Sequence, residues 1–331
     1  MMKLPSNVSQ TMEALTNNGF AVYAVGGSVR DALLGREPLD WDLATNARLW
    51  NLEKIFPEAK IISEKYSVIR RDFPEGMNKT PDRDTIQPAQ PPKSDTSGTM
   101  DIWGTPRPVP HVDIATFRTE GPYSDSRRPD RVTFVNTIEE DLKRRDFTIN
   151  AIAYDFSGLL VDPYGGQPDL IAGIIRCIGE PKVRFKENPI RMLRAARMAA
   201  EYNFNPESHG FQAMLHMGRS LSKAGPDRIR TDFLRLISAP YASRGLKLLV
   251  DTNLLEAIIG FPTETLGANA MEALRHLIQT IDQSPGVTDR RLSLFYGCFG
   301  PEQGRLAIET LHFDKKTRKR LEQKLTKLTE V

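Results

Sequence analysis

The chain has 331 residues, enough to bury one large core or two to three smaller ones, and its 40% hydrophobic and 26% charged residues are ordinary for a soluble globular protein. Its two cysteines, Cys177 and Cys298, lie far apart and outside any C-x-x-C pattern, which argues against a disulfide framework or a cysteine zinc site and for a reduced cytoplasm. No stretch approaches 18 consecutive apolar residues and the first ten lack the apolar core of a signal peptide, so export and membrane insertion are not expected, while a net charge of +3 permits a nucleic-acid partner without arguing for one.

Val8, Met12 and Leu15 recur at helical spacing and predict a helix packed behind the strand that follows. That strand, residues 20–25 (FAVYAV), is apolar and rich in β-formers, and Gly26-Gly27 ends it where the backbone must come very close to something. Ser28 reads as the N-cap of a helix whose unpaired N–H groups and positive dipole end suit phosphate oxygens, and Arg30 adds a mobile positive charge. On the next strand, Asp40-Trp41-Asp42 alternates with period two, so both carboxylates share one face and Trp41 turns to the other. Two adjacent carboxylates repel. Hard oxygen ligands facing a phosphate cradle suit Mg²⁺, which screens that repulsion and clamps a triphosphate. The plainer alternative is a dinucleotide-binding turn with a solvated acidic pair. It fits poorly, because GGSVRD lacks the G-x-G-x-x-G spacing and the acids come too soon for a ribose ligand.

Asn46 then reads as the cap of a helix over 47–56, and 60–63 and 66–70 as short strands of the same mixed sheet. Between 74 and 110 the character changes: this span holds eight of the 23 prolines and no leucine, cannot bury a core, and reads as an insertion between neighbouring strands. Strand character resumes at 111–118, where alternation puts Asp113, Ala115 and Phe117 on one face; Asp113 is a candidate third carboxylate or a lone solvent-facing Asp. Residues 118–130 are polar, turn-rich and doubly basic, a mobile loop rather than a sheet element. In 139–154 (EEDLKRRDFTINAIAY) a helix-like start and a dibasic step abut FTINAIA, which must be buried, so Arg144, Arg145 and Asp146 sit at a core edge. A guanidinium held there by Asp146 can grip ribose or phosphate; a solvated charged face is the alternative. Residues 161–170 read as a turn cluster and 171–178 as a short apolar segment.

Residues 184–201 (RFKENPIRMLRAARMAAE) form a strong helix signal, with Asn188 as N-cap and Pro189 at the first position. Arg191, Arg194 and Arg197 recur every three residues, a basic stripe opposite Ile190, Leu193, Ala196 and Ala200. Three arginines with no interleaved acid repel one another, which favours an anionic partner over a merely solvated stripe. Residues 227–237 form an amphipathic helix, the remainder is helical, and 314–327 is strongly basic, either a solvated face or a surface for a nucleic acid.

The conjunction of GG…RD…DWD, RRDFTINA and ENPIRMLRAARMAA resembles the class II branch of the polymerase-β-type nucleotidyltransferases, which holds tRNA CCA-adding enzymes and bacterial poly(A) polymerases. The resemblance runs from about residue 20 to 255 apart from the insertion. It implies an α+β protein: a head with a small mixed sheet over 1–160, a connector and nucleotide-reading neck over 161–240, and a helical body or tail over 241–331 in contact with tRNA. It implies template-independent addition of CCA to tRNA 3′ ends from CTP and ATP, with Asp40 and Asp42 holding two Mg²⁺ and Asp113 as a third catalytic carboxylate. Gly26, Gly27, Arg30, Arg145, Asp146, Asn188, Arg191, Arg194 and Arg197 would bind nucleotide, Asn188 and Arg191 on the Watson–Crick edge of the base. The branch has Asp where Asn188 stands, so charge assistance is lost at that contact. Residues 118–130 resemble its flexible loop, which the CC-adding branch lacks. An A-adding specialist, a poly(A) polymerase and a catalytically silent RNA- or nucleotide-binding protein are the alternatives; the presence of both acids and of RRD speaks against the last.

Overall fold

The computed structural model describes residues 2–38, 40–73, 111–124 and 129–328. The span read as an insertion, 74–110, and residues 125–128 of the loop lie outside them. The described chain divides into two compact units, the first running to Pro122 and from Pro129 to Ala172, the second taking Tyr123, Ser124 and the residues from Gly173 onward.

In the first unit, helix α1 (Ser6–Asn17) precedes strand β1 (Val22–Val25), helix α2 (Gly27–Leu33), β2 (Trp41–Thr45), α3 (Leu49–Ile55), β3 (Lys60–Ser63), β4 (Val68–Asp72) and β5 (His111–Thr116). A hairpin of β6 (Arg118–Glu120) and β7 (Val132–Phe134) follows, then α4 (Ile138–Lys143), β8 (Ala153–Asp155), β9 (Leu160–Val161) and α5 (Gly166–Ala172). Seven strands make one mixed sheet in the order β3-β4-β5-β2-β1-β8-β9. β2 runs antiparallel to β1, with Asp42 opposite Val25, and parallel to β5, with Asp42 opposite Asp113. The expected alternation holds: Trp41 and Leu43 are buried with Val8, Met12 and Leu15 of α1, while Asp40 and Asp42 are exposed. One face of the sheet is therefore core and the other carries the acids.

Three local readings change. Asn46 does not cap α3; its side-chain oxygen accepts from the Ala21 N–H at 2.9 Å and ties the start of β1 to the end of β2. Residues 118–120, read as loop, pair as β6 with β7, because Val132–Phe134 supply a β-rich partner beyond the polar stretch. The turn cluster ends in α5, whose first N–H groups at Gly166 and Gln167 are accepted by Asp162 at 2.7 and 2.8 Å.

The second unit opens with α6 (Pro181–Glu187), preceded by β10 (Ile174–Ile175), which pairs in parallel with β11 (Asn205–Pro206). Then come α7 (Ile190–Tyr202), α8 (Ser208–Met217), α9 (Pro226–Ser238), α10 (Ala242–Asp251), α11 (Glu256–Ile259), α12 (Ala268–Thr280), α13 (Thr288–Gly297), α14 (Gly300–Thr310) and α15 (Lys315–Leu328). Ile190, Leu193, Ala196 and Ala200 of α7 are all buried, as the spacing predicts. Small residues let the helices close up: a Cβ at Gly245 of α10 would lie 2.7 Å from Leu236 of α9 and 3.0 Å from the Ala196 carbonyl of α7.

Gly166 shows how tightly α5 supports the RRDFTINA segment. A Cβ there would collide with the carbonyl oxygen of Thr148 and with Ile152 Cγ1, in a segment whose Phe147, Ile149, Ala151 and Ile152 are fully packed. Gly166→Ala is expected to destabilise the protein by about 1–3 kcal/mol, read as a lower midpoint in chemical denaturation. An unchanged midpoint would show that α5 can retreat from that segment.

Candidate active site

In the first unit the acids, the glycine turn and the dibasic step converge at one end of β1 and β2. Asp42 keeps solvent access, yet the protein crowding its carboxyl pushes it up to about 6; the charges of Asp40 and Asp113 add to that rise, and Arg145 and His111 oppose it. Asp40 is thus close enough to act on Asp42. Arg145 lies against the end of β1, where Gly26 takes φ +79°, and a Cβ on Gly26 would fall 2.9 Å from Arg145 Nη1. This is the close approach expected of the Gly-Gly step, and a guanidinium fills it.

Among the described residues no group of three or more His, Cys, Asp or Glu side chains stands ready to hold a metal ion. The donors at hand are the paired carboxylates of Asp40 and Asp42, hard oxygens open to solvent whose repulsion a divalent cation would relieve, and they fit one. Asp113 stands beside Asp42 in register as expected, but Arg70 of β4 engages both its oxygens, Nε at 2.7 Å and Nη2 at 2.8 Å. Each oxygen keeps a second lone pair, so the paired carboxylate can still accept a further hydrogen bond.

Arg30 is not the mobile charge expected. It is buried, its Nε donates to Asp31 at 2.9 Å, and its Nη1 donates to Asn150. Asn150 in turn donates from Nδ2 to Asp146 at 2.9 Å, and the same Asp146 oxygen accepts the Phe147 N–H at 2.9 Å. A chain of bonds therefore runs from α2 through Asn150 to Asp146 and fixes a carboxylate that a loop alone would leave loose. Ser28 is not the N-cap either: α2 begins at Gly27 with Gly26 as its N-cap, and the Ser28 hydroxyl donates back to the Val25 carbonyl at 3.1 Å.

In the second unit, Asn188 is not a side-chain cap. It breaks the predicted helix into α6 and α7 with an extended backbone, φ −151°, and its Oδ1 accepts from Arg228 Nη2 of α9 at 3.3 Å. Arg191 is buried, donates from Nη1 to Glu187 at 2.7 Å and to the Arg184 carbonyl at 2.8 Å, and lies over the Tyr123 ring at 5.8 Å. The stripe expected to lack acids has them from elsewhere. Asp232 of α9 pairs with Arg197 at 2.7 Å and Arg194 at 3.7 Å, and Glu201 reaches Arg197 at 3.8 Å and Arg235 at 3.1 Å. Self-repulsion within α7 therefore gives no argument for an anionic partner.

Residues 22–75 and 82–176 match the poly(A) polymerase head domain, and 203–266 match a probable RNA- and SrmB-binding site of polymerase A. A CCA-adding enzyme of Geobacillus sp. (strain WCH70) is 35% identical over 243 residues, 73% of this chain and 52% of that protein; one of Lactobacillus helveticus is 36% identical over 262 residues, 78% and 57%. The chain belongs to the family of class II tRNA nucleotidyltransferases and bacterial poly(A) polymerases. It spans little more than half the length of those relatives. Within this nucleotidyltransferase family, the Bacillus stearothermophilus CCA-adding enzyme solved in complex with CTP is 27% identical with a TM-score of 0.74, over 98% of this chain and 70% of that one. The Thermotoga maritima CCA-adding enzyme complexed with tRNA shares the fold, at 20% identity and a TM-score of 0.64, over 99% and 72%. No described helix is long and apolar enough to cross a membrane.

Several residues the motifs did not single out complete these sites: Arg70, Asp141, Glu201, Arg228 and Asp232. Only Asp141 and Glu201 had a local signal, Asp141 standing three and four residues before Arg144 and Arg145 and Glu201 four residues after Arg197, each on one helix.

The raised Asp42 carboxyl has a stability consequence. The folded state holds this proton more tightly than the unfolded chain, so ionised Asp42 opposes folding above pH 6 and the penalty fades as pH falls towards 4. In divalent-free buffer, Asp42→Asn should melt above the parent at pH 7.5, with the gap shrinking by pH 4.5. A gap of constant size would mean Asp42 is not strained by its surroundings.

Proposed function

We propose that this chain adds CCA to the 3′ ends of tRNA without a nucleic-acid template, taking CTP and ATP as donors and working in the cytoplasm. The observation that carries the reading is the pair of solvent-open carboxylates at the start of β2 faced by Arg145 at the Gly26 turn, in a chain whose relatives are CCA-adding enzymes. Both cysteines are free, which suits a reducing compartment.

Asp40 and Asp42 would hold Mg²⁺, which supplies charge neutralisation at the α-phosphate and at the leaving pyrophosphate. The chain's own groups do the rest. The Gly26-Gly27 turn lets the triphosphate approach the backbone, and Arg145 meets its charge. Asp146, fixed by Phe147 N–H and Asn150, is placed to accept from a ribose hydroxyl, while buried Arg30 anchors Asn150 rather than touching phosphate. Asp113 is a third carboxylate for the attacking hydroxyl, kept in line by Arg70. Asn188 and Arg191 are assigned the base edge, Arg194 and Arg197 the support of that helix, and the lysines and arginines of α15 the tRNA backbone.

The deciding experiment incubates the protein with Mg²⁺, each nucleotide separately, and tRNAs ending before or after the two cytidines. Cytidine should enter the first substrate and a single adenosine the second. Adenosine on the second substrate with no cytidine on the first would identify an A-adding specialist, and repeated adenosine on any RNA a poly(A) polymerase. Asp40→Ala and Asp42→Ala should each lower the rate on the order of a thousandfold with the fold retained; near-normal turnover in either overturns the role of the pair.

Asn188 generates a second test. Arg228 draws its amide oxygen, so the amide's other polar atom is a donor; an Asp would offer one oxygen to Arg228 and keep the other for the amine of cytosine or adenine. Asn188→Asp should therefore raise the kcat/KM ratio of CTP over UTP by about tenfold, for about 1–2 kcal/mol of charge-assisted bonding. An unchanged or lower ratio would mean that Asn188 only separates α6 from α7.

A further inference from the structure

Among the described residues of the first unit, the Asp141 carboxylate on α4 is the most deeply buried charged group. Arg144 donates to its Oδ1 from Nε at 3.0 Å and from Nη2 at 2.9 Å, and Arg145 donates to its Oδ2 from Nη2 at 3.2 Å. The Arg118 backbone N–H, at the root of the β6–β7 hairpin, adds a bond at 3.1 Å. Burial alone would raise its carboxyl, and the two guanidiniums with the Arg118 N–H hold it below the usual carboxylate range instead. A surface ion pair would be bound by none of these constraints.

Glu120 shares the load, accepting from Arg118 Nε at 3.4 Å and Arg144 Nη1 at 3.3 Å. Three guanidiniums, Arg118, Arg144 and Arg145, thus meet two carboxylates. Arg118 and Arg144 are turned towards Glu120, whereas Arg145 Nη1 is set against Gly26, at the end of β1.

We infer that Asp141 is a positioning residue for the nucleotide: by gripping one side of the Arg145 guanidinium it aims the other at the Gly26 turn, where the phosphates of a nucleoside triphosphate are bound. This rests on the reading of Arg145 as a nucleotide ligand. An arginine left unheld would spend binding free energy on ordering its own side chain, and holding it beforehand removes that cost. Such an interaction is made in the ground state and the transition state alike, so its loss shows in KM more than in kcat.

The test measures CTP and ATP dissociation constants with Mg²⁺, and steady-state addition to tRNA lacking CCA, for the full chain, Asp141→Asn, Arg145→Ala and the double variant. Asp141→Asn should raise the nucleotide dissociation constant and KM about tenfold, leave kcat within about threefold, and add nothing to Arg145→Ala in the double variant. A purely structural role would lower the melting temperature and reduce kcat and affinity additively in both backgrounds, and that result overturns the inference. Should Asp141→Asn fail to fold, Asp141→Glu keeps the charge while moving the carboxylate by one methylene; it should weaken nucleotide binding severalfold, and unchanged binding overturns the inference. Full affinity in Arg145→Ala sinks the reading of Arg145 itself, whereas weak binding there with full affinity in Asp141→Asn sinks only the role given to Asp141.

Discussion

Everything in the first unit answers to one electrostatic constraint, the crowding of two carboxylates on a single face of β2. The period-two geometry of a strand makes it unavoidable: with Trp41 and Leu43 committed to the core, Asp40 and Asp42 must emerge together. Burial first and the charge of Asp40 second favour a proton on Asp42, whose carboxyl is pushed up to about 6. Arg145 opposes it, but only because Gly26 has no side chain to keep the guanidinium away. The glycine turn, the dibasic step and the acids are therefore parts of one charge balance, although Gly26 and Arg145 lie 119 residues apart in the chain.

The periodic features were legible in the sequence and the partners were not. Alternation at Asp40-Trp41-Asp42, the buried FTINAIA run and the apolar face of α7 follow from local rules that act within a few residues, and each was found where the rules put it. Arg30, Asn188 and the arginine stripe were misread for one shared reason. A polar side chain at a helix start or on a helix face has a default local role, as cap or solvated charge, and tertiary contacts replace it: Asn150 takes Arg30, Arg228 takes Asn188, Asp232 takes Arg197. Helix α9 supplies two of those three, from 35 to 40 residues away, a distance at which pattern reading has no signal. Asp141 differs, since its i, i+3 and i, i+4 relation to the arginines was visible and only its complete burial was not.

The correction to α7 changes what its arginines can contribute. A stripe of uncompensated guanidiniums would attract any anion along its length; one already paired with Asp232, Glu201 and Glu187 draws anions less strongly. It has geometry instead. Arg191 is held at Nη1 by both the Glu187 carboxylate and the Arg184 carbonyl, so its planar fork is fixed before any ligand arrives.

That distinction bears on how a protein can select a base with no template strand. Discrimination depends on donors and acceptors standing at fixed points, because a side chain free to swing will satisfy the wrong edge as readily as the right one. Buried ion pairs are a poor source of stability, their desolvation cost offsetting most of their attraction, but they do fix position. The same device recurs in both units: Asp141 with Arg144 and Arg145, Glu187 with Arg184 and Arg191. In each, one carboxylate holds two arginines by short i, i±3 or i, i±4 links or their bonds to a neighbouring turn. Asn188 is the exception, a neutral amide on a single 3.3 Å bond in the midst of this charged scaffold. An amide satisfied on one side by a donor can turn only by abandoning that donor to a second one, so Arg228 gives Asn188 a preferred orientation that its own chemistry lacks. The orientation of Asn188 then depends on α9 as much as on its own place between α6 and α7.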